Sequence, residues 1–381
     1  MKLLDRYVLR SFLEPFLMCF MGFVFIWLII DLSDNGADFL DSHASFKQIF
    51  GYYVTQFPVT ALLAMPIALL LGILFFLSRM SRTNEIISML TAGRSVVRVM
   101  VPLIAVGFLM SVFCLWLNWD QAPHAEGIKK TAMDKIRKGK KATDVEPILA
   151  HLFRDRQVNR TWYVKQMRPG SNLLRGVHIT QQDTLGRITR KWYSNRATYD
   201  PDHKTWTLDR GMIIDFTPEG DVITRDIFST NRVISEFTET PWRVSSSELN
   251  PSGLSVPELR DYMKYNYDFP AVQLSPYRAN LSDRFAYPLT SFLVIFIAAP
   301  LGIVFSRRGV VGNVASAIFI FFGMIMARSM VMALAKGYRI EPTTAPWIPD
   351  ILLGLLGLIL VWFRSTNRDF PTFATLFKKK A

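Results

Sequence analysis

The sequence has few of the residues that usually carry chemistry or cross-link a fold. Its two cysteines, Cys19 and Cys114, both lie in apolar runs, so no disulfide is expected in the polar middle of the chain. Its five histidines are scattered, without the spacing of metal ligands. No G-x-x-x-x-G-K-[ST] motif is present, which excludes nucleotide hydrolysis by the P-loop route. These absences favour transport or scaffolding over catalysis, and we expect neither a metal nor a cofactor in this chain.

Apolar residues are abundant, and they are gathered into long blocks. Half of the 381 residues are hydrophobic. Six runs approach the roughly 20 apolar residues needed to cross a bilayer. They cover residues 12–30, 54–77, 99–117, 285–305, 314–335 and 348–363. The sequence therefore predicts an α-helical polytopic membrane protein with six transmembrane helices.

Basic residues predict the orientation of these helices. Lys and Arg are concentrated before the first run, around residues 79–98, at residues 307–308 and after the last run, whereas the alternate short loops carry few. Under the positive-inside rule both termini are cytoplasmic and the long segment 118–283 is extracytoplasmic. Much of the net charge of +13 is explained by these loop ends, so it does not indicate nucleic-acid binding.

The long polar segment changes pattern from about Thr143. Short alternating stretches rich in β-branched and aromatic residues follow one another, separated by turn signals, at residues 162–167, 176–181, 187–193, 205–217, 222–229 and 232–237. Closely spaced strands without intervening helices predict an antiparallel sandwich, jelly roll or open barrel. We therefore divide the chain into residues 1–119 with three transmembrane helices, 120–280 with an inserted all-β, jellyroll-like domain and flanking helical linkers, and 281–381 with three more helices and a tail.

Two short helices are predicted outside the spans. In the connector 79–93, Ser81 can cap a helix of about three turns, Glu85 suits its positive end, and Gly93 can stop it. Its apolar and polar positions predict an amphipathic helix at the membrane surface. Further on, Ser255 and Glu258 have the spacing of a capping box.

Arg328 is a strong cation inside an apolar run. Charged residues inside a membrane are expensive and usually face an interior or a cavity. Arg328 lies toward the outer end of its run, so its side chain could instead snorkel to the interface. The sequence leaves both interpretations open.

Several short motifs, in order along nearly the whole chain, together resemble the LptF/LptG (YjgP/YjgQ-type) family of lipopolysaccharide export permeases. They are Leu4-Asp-Arg-Tyr-Val-Leu-Arg10, Pro58…Met65-Pro66, Arg79-Met-Ser-Arg-Thr-Asn-Glu85…Ala92-Gly93, Asn118…Pro123-His-Ala125, Arg284-Phe-Ala-Tyr-Pro288, Ala299-Pro-Leu-Gly302, Arg307-Arg-Gly309 and Ala345-Pro-Trp-Ile-Pro-Asp350. The resemblance implies three helices, a periplasmic β-jellyroll and three more helices. The Leu4-Asp-Arg-Tyr start favours the LptG-like branch.

The resemblance also implies a function and partners. Such a permease pairs with a second LptF/LptG-type permease and with a dimeric LptB-type cytoplasmic ATPase that binds the ATP. The complex extracts lipopolysaccharide from the outer leaflet of the inner membrane and passes it to LptC/LptA-type bridge proteins. Two alternatives stay open, a membrane-anchored periplasmic receptor or scaffold and an ABC permease for lipoproteins or drugs.

The resemblance assigns roles to particular residues. The connector is expected to dock on the ATPase through Arg82, Asn84, Glu85, Ile86, Met89, Leu90 and Arg94. The residue pattern, not the resemblance, suggests the substrate contacts, namely Arg328, because a membrane charge needs a partner, with Asp31 and Asp34, and Ile213 at an inward-facing strand position. The chain departs from the family at the outer end of the first helix, where acids stand in place of the usual basic residues. Arg328 is therefore expected either to bind a substrate phosphate or to pair with an acid such as Asp31 or Asp34.

Overall fold

The computed structural model describes residues 3–93, 95–125, 129, 133, 148–168, 171–245, 250–267, 269–303 and 310–366. The chain forms two compact units. The first comprises Met1–Arg137, Pro251–Arg260 and Ala271–Ala381, and it contains the membrane helices. The second comprises Lys138–Asn250 and Asp261–Pro270, and it contains the β-sheet.

The helices follow the apolar runs and extend beyond them. They are α1 (Leu3–Asp41), α2 (Phe46–Arg82), α3 (Glu85–Thr91), α4 (Val96–Trp116), α5 (Pro241–Ser245), α6 (Val256–Tyr265), α7 (Ala271–Leu293), α8 (Ile295–Gly302), α9 (Val310–Lys336) and α10 (Ile348–Ser365). Within the described residues, six helical stretches are long and apolar enough to cross a membrane, namely Leu4–Asp41, Phe46–Arg82, Arg98–Ala125, Ala271–Gly302, Gly312–Lys336 and Ala345–Ser365. The predicted polytopic architecture is confirmed.

The second and fourth spans form the centre of the membrane unit. In their most apolar windows, 72% and 67% of residues are buried within the chain, against 11% for the first span and 22% for the fifth. Small residues allow close contact at this centre: a methyl group added at Gly72 would come within 2.8 Å of the Phe16 Cα, and one added at Gly107 within 1.6 Å of the Ile295 Cδ1. Such positions let the backbones of membrane helices approach each other.

The β-domain is a single antiparallel sheet. Its strands are β1 (Ile148–Asp155), β2 (Arg160–Met167), β3 (Leu173–Gln182), β4 (Ile188–Asp200), β5 (Thr205–Phe216), β6 (Val222–Phe228) and β7 (Arg232–Ile234). Strands β1 to β6 pair in sequence order, and β7 pairs with β5 beside β6. The six predicted strands are confirmed, and β1 is added before them. The strand order, which the sequence leaves open, is therefore an up-and-down meander.

An aromatic core and the buried Arg160–Glu239 ion pair stabilise this sheet. The rings of Trp162 and Phe237 lie 5.1 Å apart, and those of Trp162 and Trp206 lie 5.2 Å apart. Beside them the Arg160 guanidinium donates to the Glu239 carboxylate at 2.9 Å, and the Trp162 indole donates to the same carboxylate at 3.2 Å. Glu239 is fully buried, so these donors replace its hydration.

The structure confirms one of the two helix starts predicted outside the spans and contradicts the other. The predicted contact between Ser255 and Glu258 is present before α6, because the Ser255 backbone N–H and hydroxyl both donate to the Glu258 carboxylate at 2.8 Å. The cap assigned to Ser81 is wrong, since α2 continues through it to Arg82. The break comes at Asn84, whose φ of 60° is left-handed, and α3 then has 7 residues. Gly93, with φ of 76°, follows the end of α3 as predicted.

Replacing Glu239 with Ala should destabilise the β-domain, because it leaves the buried Arg160 charge without its carboxylate. Breaking a buried pair on one side costs about 3–5 kcal/mol. For a domain of this size the apparent unfolding temperature should fall by roughly 10 °C or more, measured by tryptophan fluorescence on the full chain.

Glu236→Ala is the matched control, since the Glu236 side chain is 62% exposed. It should stay within about 0.5 kcal/mol of the wild type. Equal losses in the two variants would contradict a special role for the Arg160–Glu239 pair.

Candidate functional site

The connector between the second and third spans is tied to the beginning of α1. The Tyr7 hydroxyl donates to one oxygen of Glu85 at 2.6 Å, and the Thr83 hydroxyl donates to the other at 2.8 Å. Because Glu85 opens α3, these bonds attach this helix both to α1 and to the end of α2. The sequence motif Leu4-Asp-Arg-Tyr7 marks the region, although nothing in it identifies Tyr7 as the partner of Glu85.

A second polar contact lies at the same end of α1. The Arg98 guanidinium, in the first turn of α4, lies 2.8 Å from the Asp5 carboxylate. A third pair, Arg79 with Glu14, is longer at 3.9 Å, and both side chains are about 70% exposed. Exposed pairs of this kind contribute little to stability. The beginning of α1 is thus joined to α3 and to α4 by two short contacts.

The predicted coupling residues divide between the interior and the surface. Ile86 is 1% exposed and packs in the membrane core, and Met89 is partly buried against it. Arg82 and Asn84 are exposed, and Glu85 is half-buried. Arg94 and the side chain of Leu90 lie outside the described residues. Ile87, which the resemblance did not assign, is 40% exposed on α3.

Arg328 lies in a buried cluster of charges. Its guanidinium reaches Asp283 of α7 at 2.6 Å and Asp350 of α10 at 3.1 Å. The Thr290 hydroxyl donates to the other Asp350 oxygen at 2.8 Å, and the guanidinium lies over the Tyr287 ring at 4.9 Å. Arg328 is 7% exposed, so it does not snorkel to the interface. The cluster holds together three helices, α7, α9 and α10.

The acids suggested as partners of Arg328 lie elsewhere. Asp31 is 5% exposed and accepts a hydrogen bond from Lys129 at 2.8 Å, while Asp34 is exposed. The pairing of Arg328 with Asp31 or Asp34 is therefore wrong. Asp283 lies just before the fourth apolar run and Asp350 at the start of the sixth, and sequence distance gives no sign that both meet Arg328. Among the described residues, no group of three or more His, Cys, Asp or Glu side chains could hold a metal ion.

Ile213 lies on the core face of the sheet. It is directly opposite Trp192 across the β4–β5 pair, and it packs, partly buried, against the aromatic core. Two residues further on, Asp215 accepts hydrogen bonds from Arg190 and from the Thr224 hydroxyl. The Arg190 hydrogen bond holds the pKa of Asp215 below its ordinary value.

Six membrane helices with an antiparallel sheet inserted between the third and the fourth define a multi-pass membrane protein with a β-domain. The family model of the lipopolysaccharide export system permease LptF/LptG matches residues 6–363, so the chain belongs to that family. The family suggested by the sequence motifs is confirmed.

The similarity to individual relatives also covers nearly the whole chain. The chain is similar to the lipopolysaccharide export system permease protein LptG of Escherichia coli (strain K12), with 21% identity over 372 residues, 95% of this chain and 98% of that protein. It is also similar to the protein of that name from Haemophilus influenzae (strain ATCC 51907 / DSM 11121 / KW20 / Rd), with 20% identity over 380 residues, 96% of this chain and 99% of the relative.

Replacing Asp350 with Asn should destabilise the membrane unit, since Arg328 then loses the buried one of its two carboxylate partners. Truncating one side of a buried pair costs about 3–5 kcal/mol, and the neutral Asn, which retains a hydrogen-bond acceptor, should fall at or below the low end of that range. The measurement is the yield of monodisperse protein in detergent and its melting temperature.

Asp34→Asn makes the same change at an exposed position of α1 and should leave both values unchanged. Arg328→Met together with Asp283→Asn and Asp350→Leu should recover much of the lost stability, because it removes the buried charges together. If Asp350→Asn has the same melting temperature as the wild type, the Arg328 cluster does not stabilise the membrane unit.

Proposed function

We propose that this chain is the LptG-like permease subunit of an ATP-driven exporter that takes lipopolysaccharide from the outer leaflet of the inner membrane and passes it to a periplasmic bridge. Family membership supports lipopolysaccharide export, and the whole-length similarity to LptG proteins supports the branch. The basic residues at the connector and at both chain ends support cytoplasmic termini and a periplasmic β-domain.

A separate motor must drive this export, because the chain has no P-loop of its own. We assign the motor to an LptB-type ATPase dimer that binds the ATP, shared with a second LptF/LptG-type permease. LptC/LptA-type proteins form the bridge that accepts the lipid. These partners follow from the family resemblance.

The proposed coupling depends on the hydrogen bonds that join Glu85 of the connector to Tyr7 and Thr83. Arg82 and Asn84 lie just before α3 and are exposed to solvent. Glu85, the first residue of α3, accepts hydrogen bonds from Tyr7 of α1 and from Thr83 after α2. A displacement of α3 by a docked motor would therefore reach two membrane spans directly. The buried Ile86 serves as the anchor of this helix, and the surrounding exposed residues form the docking surface.

Glu85→Lys should weaken co-purification of the ATPase with the permeases. Losing one side of a buried interfacial charge pair costs about 2–5 kcal/mol, which is about 30-fold or more in affinity. Affinity-tagged complex is pulled down from membranes, and the ATPase is quantified against the permease.

Two further variants sharpen this measurement. Glu14→Lys reverses an exposed acid at the same end of α1 and should retain the ATPase. Tyr7→Phe removes the hydrogen bond between Tyr7 and Glu85 while keeping the Glu85 charge. This variant should therefore retain the ATPase and reduce coupled transport. Undiminished binding and transport in Glu85→Lys would exclude Glu85 from the motor contact.

A photo-crosslinker at Ile213 should capture lipopolysaccharide when ATP is supplied, because this position lies on the core face of the sheet, where acyl chains would contact the domain. The same crosslinker at Ile227, which is 73% exposed on β6, is the control and should capture little. The adducts are measured by immunoblotting for the glycolipid. Capture at Ile213 that is absent, or that is equal without nucleotide, would count against a conduit through this domain.

A further inference from the structure

A groove lies on the membrane unit between α2 and α9. Its volume is about 700 Å³, which is within the range of small-molecule pockets. Leu74 and Phe75 of α2 form one wall, and Val314 and Ile318 of α9 form the other. These side chains make most of the groove apolar, so it offers a surface on which a hydrocarbon chain can lie.

Positively charged side chains line one end of the groove. Arg79 and Arg82, one turn apart at the end of α2, line it, and both are exposed. The described lining includes no Asp or Glu. Among the described residues, Arg79 forms one ion pair within 4 Å, with Glu14 at 3.9 Å; 69% of the Glu14 side chain is exposed, which leaves the guanidinium able to bind another anion. An apolar groove with a cationic mouth is complementary to a lipid with an anionic headgroup.

The neighbouring groove lacks this complementarity. On the other side of Phe75, between α1 and α2, a groove of about 450 Å³ has Glu14 on its wall beside Arg79. The two opposite charges there offer no net attraction to an anion. The charge difference therefore distinguishes the α2–α9 groove from a general lipid-facing crevice.

We propose that the α2–α9 groove binds an anionic diacyl phospholipid, with acyl chains along Leu74 and Ile318 and the headgroup phosphate at Arg79 and Arg82. Guanidinium groups grip phosphate oxygens in bidentate fashion, and basic pockets between membrane helices on the cytoplasmic side bind anionic headgroups. This bound lipid is distinct from the transported glycolipid. On the orientation proposed above, the arginines face the cytoplasmic leaflet, whereas export draws on the other leaflet.

The test measures lipid binding by the purified full-length chain. Phosphatidylglycerol or phosphatidylcholine with identical acyl chains is titrated into the detergent-solubilised protein, and bound lipid is counted by native mass spectrometry. We expect phosphatidylglycerol to bind more tightly. Arg79→Gln combined with Arg82→Gln should weaken it about 30-fold, roughly fivefold for each guanidinium. Arg10→Gln, an exposed arginine of α1 outside the groove lining, should bind as the wild type does.

A steric pair tests the apolar part of the groove. Ala315 is an exposed lining residue, so Ala315→Phe fills the groove without entering the core. Ser316→Phe adds the same ring at the next exposed position, outside the lining. Only Ala315→Phe should reduce phosphatidylglycerol binding.

Three results would overturn the proposal. The first is equal binding of the two phospholipids, or equal binding by the arginine variants and Arg10→Gln. The second is displacement of phosphatidylglycerol by purified lipopolysaccharide at equal concentration, which would make the groove a substrate site. The third is loss of phosphatidylglycerol from the groove when the second permease binds, which would make it an interface. None of these readouts uses the ATPase, so they are measured separately from motor docking, although the docking surface shares Arg82 with the mouth of the groove.

Discussion

The close packing of α2 against its neighbours is the contact on which the membrane unit depends. Lipid tails are as apolar as the side chains, so burial alone does not drive helices together in a bilayer, and van der Waals contact must do so. Gly72 brings the α2 backbone against Phe16, and Gly302 brings α8 against Leu77 of α2. Because α2 is fixed on both sides, its extension to Arg82 has a defined position. That extension supplies the arginines of the α2–α9 groove and leads directly into α3.

Charge inside the spans has a structural use. A guanidinium near the membrane interior is costly, and Arg328 is compensated by two carboxylates and an aromatic face. Buried ion pairs are poor sources of net stability, but they are demanding in geometry. Three helices must therefore adopt one arrangement for the cluster to form. Because the guanidinium is occupied by Asp283 and Asp350, a substrate phosphate would have to displace one of these carboxylates, so we assign Arg328 to the scaffold.

The sequence predicts what depends on local pattern and misses what depends on long-range contact. Hydropathy identifies the spans because each must carry its own apolar surface, and alternation identifies the strands for a similar reason. The contact between Ser255 and Glu258 is predicted correctly because the two residues are only three positions apart. Ser81 has the same local signal but lies within α2, where an existing helix propagates more easily than a new one nucleates. The pairs Tyr7–Glu85 and Arg328–Asp283 join residues 78 and 45 positions apart, which no local pattern can reveal.

The strengths of these contacts divide the membrane unit into a fixed part and a part that can move. The span of α1 is the least buried, and its first turns are joined to α3 and α4 through Glu85 and Arg98. Partly exposed polar contacts of this kind contribute about 1 kcal/mol each, so thermal motion breaks and re-forms them readily. The Arg328 cluster is buried, and opening it would leave unpaired charge in the membrane. We infer that a motor acting on α3 would move the first turns of α1 and the end of α2, while the Arg328 cluster keeps α7, α9 and α10 in place.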